Sequence, residues 1–229
     1  MISLCLPSRK RAGYHYNMCK SALDNAYDKN NIEFVTFRDS DDRTVYNYIG
    51  NHKEVIGTRT PQIFQMWNEA QKVATGPIYM YIADDFVLTS KYWDKEVEEE
   101  FENIPDRIAV LEVDNGRIIW EKYGFSGLGF VHKNWVDTVG YLFPNYFYPN
   151  NADKWVNDLA VAINRRVRLK MTCEDTMLHV KDVVHYGKSK LVSHWRRNYY
   201  TEPYVEQRRI DADKLVNFIK ANSQPYWTE

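Results

Sequence analysis

The N-terminal third of the chain alternates between short apolar runs and segments of helical periodicity, and this alternation restricts the fold more than any other feature. Three apolar runs, at 2–6, 32–37 and 78–83, have the length of buried strands. The segments between them, 14–27 and 61–75, repeat apolar residues at helical spacing. Strands that alternate with helices in this way predict a parallel sheet covered by helices, which is an α/β fold.

The remainder of the chain extends this pattern without a visible boundary. No repeat or low-complexity linker divides the 229 residues, so we expect a single domain with a mostly parallel central sheet flanked by helices. The later strands are predicted at 108–113, 118–120, 130–131, 167–171 and 183–184, and the later helices at 92–101, 153–164 and 211–221.

Composition and charge argue against several classes of protein. A net charge of −1 gives no general attraction to nucleic acid or membranes, and no apolar run is long enough to span a membrane. The three cysteines, Cys5, Cys19 and Cys173, lack CxxC spacing, which is typical of reduced intracellular proteins. The N-terminal segment is apolar first and basic afterwards, the reverse of a secretory signal. We therefore expect a soluble, cytoplasmic protein, in the host cytoplasm if a virus encodes it.

Polar clusters follow each of the first three predicted strands. In an open α/β sheet, ligands bind outside the carboxyl ends of the strands, so these clusters are expected to share one site. The clusters are Pro7-Ser8-Arg9, Arg38-Asp39-Ser40 and Asp84-Asp85.

Asp84 and Asp85 carry the strongest chemical signal among these clusters. Two adjacent carboxylates are costly to bury without a partner, and carboxylate oxygens are hard ligands of the kind that Mg²⁺ and Mn²⁺ bind. The alternative is a turn or a helix N-cap, because aspartate favours both.

Two later segments carry further candidate residues. Asp153 stands where a helix begins, either as an N-cap or as a general base held on a rigid element. His185 follows an apolar pair and is either structural or a metal ligand. Lys188, three residues later, is placed to pair with phosphate if the histidine lies near a diphosphate.

The order of these motifs resembles the GT-A glycosyltransferases, especially those of family 2, over residues 1–190. Such enzymes begin with a strand that ends in Pro-Ser or Pro-Thr, matched by LCLPSR, and a second strand ends in an acidic cluster that reads the nucleotide base, matched by FRDSDD. An arginine-bearing segment then leads through a helix to the metal-binding strand, matched by residues 57–85. An acceptor loop, an xED-type motif and a histidine follow. They are matched by FSGLGF, by Asn151-Ala152-Asp153 and by VVHYG.

The resemblance implies roles for the acidic residues. The metal strand ends in ADD, so Ala83 replaces the first carboxylate of a DxD-type motif and Asp85 takes the metal-binding place, with His185 as a further ligand. Asp153, the last residue of the Asn151-Ala152-Asp153 motif, is the implied catalytic base. The CED motif at 173–175 supplies Asp175 as a reserve, because this motif follows the helix rather than opening it.

The resemblance also implies the reaction. A Mn²⁺ or Mg²⁺ ion would neutralise the leaving diphosphate while an acceptor hydroxyl attacks the sugar in line, with inversion. The favoured donor is a UDP-sugar. Residues 1–90 would form the nucleotide-sugar half, 91–190 the acceptor half, and 191–229 a basic helical extension packed on the domain. The donor-binding residues would be Pro7, Ser8, Arg9, Asp39, Arg59, Asp84 and Lys188.

The acceptor and two rival functions stay open at this stage. Basic residues between 165 and 209, interleaved with aromatic ones, could hold a polyanion, so the acceptor is either a glycan or the hydroxymethylated bases of viral DNA. One rival is a sugar nucleotidyltransferase, although RKRAG does not match the GxGxR loop that such enzymes usually show. The other is a non-catalytic binding module in which the aspartates are caps.

Overall fold

The computed structural model describes residues 1–60, 62–115, 127–146, 151–176 and 201–222. His185, Lys188 and the strands predicted at 118–120 and 183–184 lie outside these ranges. Within them, no helix is long and apolar enough to cross a membrane.

The N-terminal half of the sheet is parallel. β1 lies between β2 and β4, with Ile2 opposite both Ile32 and Ile78, and β3 extends the sheet beyond β2. The apolar runs at the starts of these strands are buried, which explains why the sequence pattern identified β1, β2 and β4. The elements are β1 (Ile2–Pro7), α1 (Ala12–Asn25), β2 (Ile32–Asp39), β3 (Asn51–Gly57), α2 (Phe64–Val73) and β4 (Ile78–Tyr81).

The C-terminal half of the sheet is mixed. β7 runs antiparallel to both β4 and β6, β8 runs parallel to β6, and the short β5 pairs antiparallel with β8. Among the described residues the strand order is β3-β2-β1-β4-β7-β6-β8-β5. The further elements are β5 (Phe86–Leu88), α3 (Trp93–Glu102), β6 (Val110–Asp114), β7 (Gly129–His132), α4 (Lys133–Val139), α5 (Ala152–Ala162), β8 (Arg166–Asp175) and α6 (Tyr204–Asn222).

Side chains that alternate along the strands fill cores on the two faces of the sheet. Leu4 and Met80 pack with α1 and α3 on one face. Their neighbour Cys5 packs against α2 on the opposite face, and Tyr81 packs there against α4 and α5. Both faces are therefore covered by helices, and the predicted single α/β domain is confirmed.

Helix α6 belongs to the predicted C-terminal extension and packs on α4 and α5. Its Leu215 is fully buried, and the hydroxyl of Tyr141 donates a hydrogen bond to Asp211 of the helix. The indole of Trp155 in α5 donates to the same hydroxyl over 3.0 Å. These contacts fix the position of the helix on the domain.

The strand directions place many strand ends at one edge of the sheet. β1, β2, β4, β6 and β8 all end at this edge, and the antiparallel β7 begins there. The polar clusters predicted at the ends of β1, β2 and β4 are therefore neighbours, as expected for an open α/β sheet.

Candidate functional site

A cavity of about 670 Å³ opens at this edge of the sheet. The first turns of α2 form one wall with Met66 and Trp67, and Ala83 lies at the end nearest β4. A second cavity of about 440 Å³ adjoins it and shares Arg59 and Met66 with it. The larger cavity is lined by five of the predicted donor-binding residues: Pro7, Ser8, Arg9, Asp39 and Arg59.

Ser8 joins the ends of three strands. Its backbone N–H donates to the carbonyl of Phe37 over 3.0 Å, which ties β1 to β2. Its hydroxyl donates a 2.6 Å hydrogen bond to Asp84 beyond β4, and the hydroxyl of Tyr46 lies 3.2 Å away. The Pro-Ser motif therefore positions the carboxylate of Asp84 in addition to lining the cavity.

Asp39 is the buried carboxylate of the cavity. Its side chain is 3% exposed, and its Oδ2 accepts a 2.8 Å hydrogen bond from Arg9, which also pairs with Asp41. These two aspartates raise the pKa of the Arg9 guanidinium. The second oxygen, Asp39 Oδ1, is buried and has no hydrogen-bond partner among the described residues. An acceptor atom in this state is suited to a ligand N–H.

Asp84 and Asp85 lie in the turn between β4 and β5. The turn alternative is therefore right for the backbone, whereas the helix-cap alternative is wrong because α3 begins only at Trp93. Asp84 is buried, and burial raises the pKa of its carboxyl to about 6 against the opposing effects of Arg11 and Ser8. A turn alone does not require two carboxylates, so their side-chain partners decide their role.

The guanidinium of Arg11 lies against both of these carboxylates. Its Nη2 is 2.5 Å from Asp84 Oδ1 and its Nη1 is 3.3 Å from Asp85 Oδ2. The remaining oxygen, Asp85 Oδ1, is buried and lacks a hydrogen-bond partner within the described segments. Two carboxylates with such an oxygen form a donor set that fits a divalent cation, because hard oxygen ligands suit Mg²⁺ and Mn²⁺.

Asp175 lies beside this turn. Phe86 pairs with Asp175 in the antiparallel β5–β8 ladder, and both the N–H and the hydroxyl of Thr176 donate to the carbonyl of Asp85, over 2.8 and 2.7 Å. The CED motif therefore ends a strand next to the carboxylate turn.

Asp153 is in the first turn of α5, while Asn151 is the N-cap residue and makes no side-chain capping bond. Asp153 Oδ1 accepts the N–H of Lys154 over 2.8 Å. Asp153 Oδ2 lies 3.1 Å from the position that a Cβ on Gly127, two residues before β7, would occupy. Burial raises the pKa of Asp153. The carboxylate is thus half-buried beside the described part of the FSGLGF loop, at the edge that carries the other clusters.

Tyr81, at the end of β4, lies near this carboxylate. Burial raises the pKa of its hydroxyl, and the charges of Glu112 and Asp153 raise it further. The tyrosine oxygen lies 2.9 Å from where a Cβ on Gly129 would stand, so a glycine is needed there for the close approach of β4 and β7.

Several residues that line the cavity were not predicted to belong to the site, among them Trp67 and Arg11. Trp67 donates from its indole to the carbonyl of Ile82 over 3.1 Å, and its position on an amphipathic helix predicted only a core residue. Arg11 belongs to the basic stretch that follows the N-terminal apolar run, and the sequence pattern gave it no role in the site. Its place one residue before α1 and four residues after the end of β1 is the sequence signal that could have identified it.

No protein-family model matches the sequence, and no curated protein is significantly similar to it. Several solved structures are similar to the structure of this chain. TarS 1–349 from S. aureus has a TM-score of 0.62 at 15% identity, over 98% of this chain and 73% of TarS 1–349. The complex of TarS 1–349 with UDP-GlcNAc has a TM-score of 0.60 at 16% identity, over 94% of this chain and 66% of that chain. The mannosyltransferase PcManGT from Pyrobaculum calidifontis, in complex with GDP-Man and Mn²⁺, has a TM-score of 0.64 at 13% identity. The match covers 98% of this chain and 76% of that chain. The chain has the GT-A fold, as the sequence predicted.

Proposed function

We propose that the protein transfers a sugar from a nucleotide-sugar, with a UDP-sugar as the favoured donor, to an acceptor hydroxyl. One observation carries the proposal. A single cavity is lined by Asp39, one oxygen of which has no hydrogen-bond partner among the described residues, and by Ala83, which directly precedes the Asp84–Asp85 turn at the β4 end. The structural neighbours support it, because they include complexes with UDP-GlcNAc and with GDP-Man and Mn²⁺.

The nucleoside would bind at the Asp39 end of the cavity. Asp39 Oδ1 would accept an N–H of the base, for which uracil provides a suitable donor, while Arg9 holds the other oxygen. Pro7, Ser8 and Arg59 line the same cavity and would contact the base and ribose.

The diphosphate would lie at the Asp84–Asp85 end. Asp85 would bind the divalent ion, Mn²⁺ or Mg²⁺, with Asp84 beside it. When bound, this ion supplies positive charge to the leaving diphosphate. His185 as a further ligand and Lys188 as a phosphate partner belong to this proposal by resemblance only, since both lie outside the described residues.

Asp153 is the base in this proposal. It sits on the rigid first turn of α5 with Oδ1 held by a backbone N–H and Oδ2 directed toward Gly127. Its raised pKa brings the carboxylate closer to the range in which a base accepts a proton efficiently. The acceptor oxygen, as its proton passes to Asp153, would attack the anomeric carbon opposite the breaking bond to the diphosphate, and this would invert the configuration. Asp175 is less suited, because it lies beside the metal-binding turn.

For the acceptor we favour a glycan over DNA. Several basic residues of the segment from 165 to 209 pair with carboxylates of this chain, which lowers the charge left for a polyanion. The pairs in the described part of this segment include Arg165 with Asp106, Arg166 with Glu112, and Arg209 with Glu206 and Asp213. Transfer to hydroxymethylated DNA but not to glycans would reverse this preference.

A donor screen tests the proposed function. The protein is incubated with Mn²⁺ and a panel of nucleotide-sugars, and release of nucleoside diphosphate is measured with and without candidate acceptors. Release of UDP supports the transferase, whereas formation of inorganic diphosphate from a sugar phosphate and UTP would instead show a nucleotidyltransferase. If no nucleoside diphosphate raises the melting temperature and none is released, the proposal fails.

A further inference from the structure

Arg11 occupies the place between the two carboxylates of the proposed cation site. Its guanidinium contacts Asp84 at 2.5 Å and Asp85 at 3.3 Å, and it also lines the cavity. A guanidinium in this position brings one positive charge to a pair of negative ones. It therefore partly replaces the charge that a divalent ion would bring.

The burial of Asp84 explains why such a partner is needed. The Asp84 side chain is 0% exposed, and a buried carboxylate without a cation or sufficient hydrogen bonds is strongly destabilising. Ser8 supplies one hydrogen bond and Arg11 supplies the charge. Ala83, which lies where a DxD-type motif has its first carboxylate, leaves two acidic groups in the turn rather than three. A single arginine can hold two carboxylates at once.

The backbone of Arg11 is fixed, and its side chain reaches the wall of the cavity. Lys10 N–H donates to Asp42 over 2.9 Å, and the carbonyl of Arg11 accepts the N–H of His15 in the first turn of α1. The side chain of Arg11 is 36% exposed at the wall of the cavity. The guanidinium therefore lies both against the carboxylates and at the wall of the cavity in which the donor diphosphate is proposed to bind.

We propose that Arg11 is an internal counter-ion that competes with the divalent cation for Asp84 and Asp85 and moves to the donor diphosphate when that cation binds. The movement of Arg11 to the diphosphate rests on the proposed function, whereas its competition with the cation can be tested with the metal alone. The consequence is mutual dependence: the cation binds weakly to the donor-free protein, and cation and nucleoside diphosphate strengthen each other's binding by the same factor.

The competition is tested with Mn²⁺ and no nucleotide, by the loss of the free-Mn²⁺ signal in electron paramagnetic resonance. Arg11→Gln removes the charge but keeps a hydrogen-bond donor for Asp84, and it should bind Mn²⁺ about tenfold more tightly than the wild type. Arg11→Lys keeps the charge but not the fork that reaches both carboxylates, so its Mn²⁺ affinity should lie between those of the wild type and Arg11→Gln. Lys10→Gln removes the same charge from the neighbouring exposed residue, outside the ion pair, and should change the affinity little. Equal affinities of Arg11→Gln and wild type, or the same gain in Lys10→Gln, would overturn the proposal.

A second titration separates this inference from the proposed function. With Mn²⁺ saturating, Arg11→Gln should bind UDP about tenfold more weakly than the wild type, because the guanidinium no longer reaches the diphosphate. Unchanged UDP affinity would overturn the movement of Arg11 to the diphosphate. If no variant binds UDP at all, the proposed donor is wrong, and the Mn²⁺ titration still decides whether Arg11 competes with the cation.

Discussion

The hydroxyl of Ser8 donates a 2.6 Å hydrogen bond to Asp84 Oδ2, and this contact joins the end of β1 to the turn after β4. The two residues are 76 positions apart in the chain, and both are buried. The contact joins two predicted donor-binding residues, and Asp84 is the chain neighbour of Asp85, the predicted metal ligand.

Ser8→Ala should weaken both stability and cation binding. The substitution leaves a buried carboxylate oxygen without its donor, which costs about 1–3 kcal/mol in similar sites. Urea denaturation and Mn²⁺ titration measure the two effects. Ser40→Ala, at an exposed serine after β2, is the matched control and should behave like the wild type. If Ser8→Ala changed neither the stability nor the cation affinity, the contact between Ser8 and Asp84 would have no structural role.

Asp153→Asn should abolish transfer without abolishing donor binding. The amide keeps the size of the side chain but cannot accept the acceptor proton, so kcat should fall by about 10²–10⁴-fold. Turnover and the UDP-dependent rise in melting temperature are compared for Asp153→Asn and Asp175→Asn. A larger loss of turnover in Asp175→Asn, with Asp153→Asn close to the wild type, would assign the base to Asp175 instead.

Gly127→Ala should impair turnover by displacing the proposed base. Gly127 has a φ of +75°, and a Cβ there would lie 3.1 Å from Asp153 Oδ2, so the carboxylate or the loop must shift. We expect a loss of about 1 kcal/mol of stability from the backbone strain, together with a lower kcat. Gly13→Ala in α1 is the control: its Cβ meets nothing within 4 Å, so stability should hold or rise and kcat should not change. Equal effects of the two substitutions would argue against a role for the loop.

Stability should decrease as the pH is lowered from about 6.5 to 4. His15 and His52 each lie within 3.0 Å of the hydroxyl of Thr36, and burial lowers the pKa of both imidazoles to about 4. The unfolded chain binds protons on these histidines below their ordinary pKa, whereas the folded chain does not. The full contribution is therefore present above pH 6.5 and is lost toward pH 4, at about 1.4 kcal/mol per pH unit for each histidine.

His52→Gln tests this assignment, because it removes one titrating group from a half-buried position on β3. Guanidinium denaturation at pH 7 and pH 5 should show a smaller loss of stability for the variant than for the wild type. The same loss in both proteins would show that other groups cause the acid sensitivity.

The sequence predicted the parts of the fold that bury continuous apolar runs. β1, β2 and β4 were identified because nearly all of their residues are buried. β3 was missed because it is a largely exposed strand at the end of the sheet, with a polar sequence, NHKEVIG. The seven-residue α4 was also missed, because it is too short to show a helical period. The mixed direction of the second half depends on contacts between distant strands, which no local pattern encodes.

The candidate site was predictable where it follows strand ends. Asp39 and Asp84 could be placed together because consecutive parallel strands bring their carboxyl ends to one edge. The pairing of Arg11 with Asp84 could not be foreseen, since it depends on how far one side chain reaches across two strand ends. The backbone pairing that puts Asp175 beside the Asp84–Asp85 turn likewise depends on the register between β5 and β8.

The proposed function requires one site that binds a nucleoside diphosphate through Asp39 and a divalent ion through Asp85. Calorimetric titration of UDP into the protein with Mn²⁺ present tests it most directly, on the wild type, Asp39→Asn and Asp85→Asn. The account predicts a single site in the wild type, weaker binding in Asp39→Asn with or without Mn²⁺, and loss of the Mn²⁺ effect in Asp85→Asn alone. Absence of UDP binding to the wild type, or binding that neither substitution changes, would contradict it.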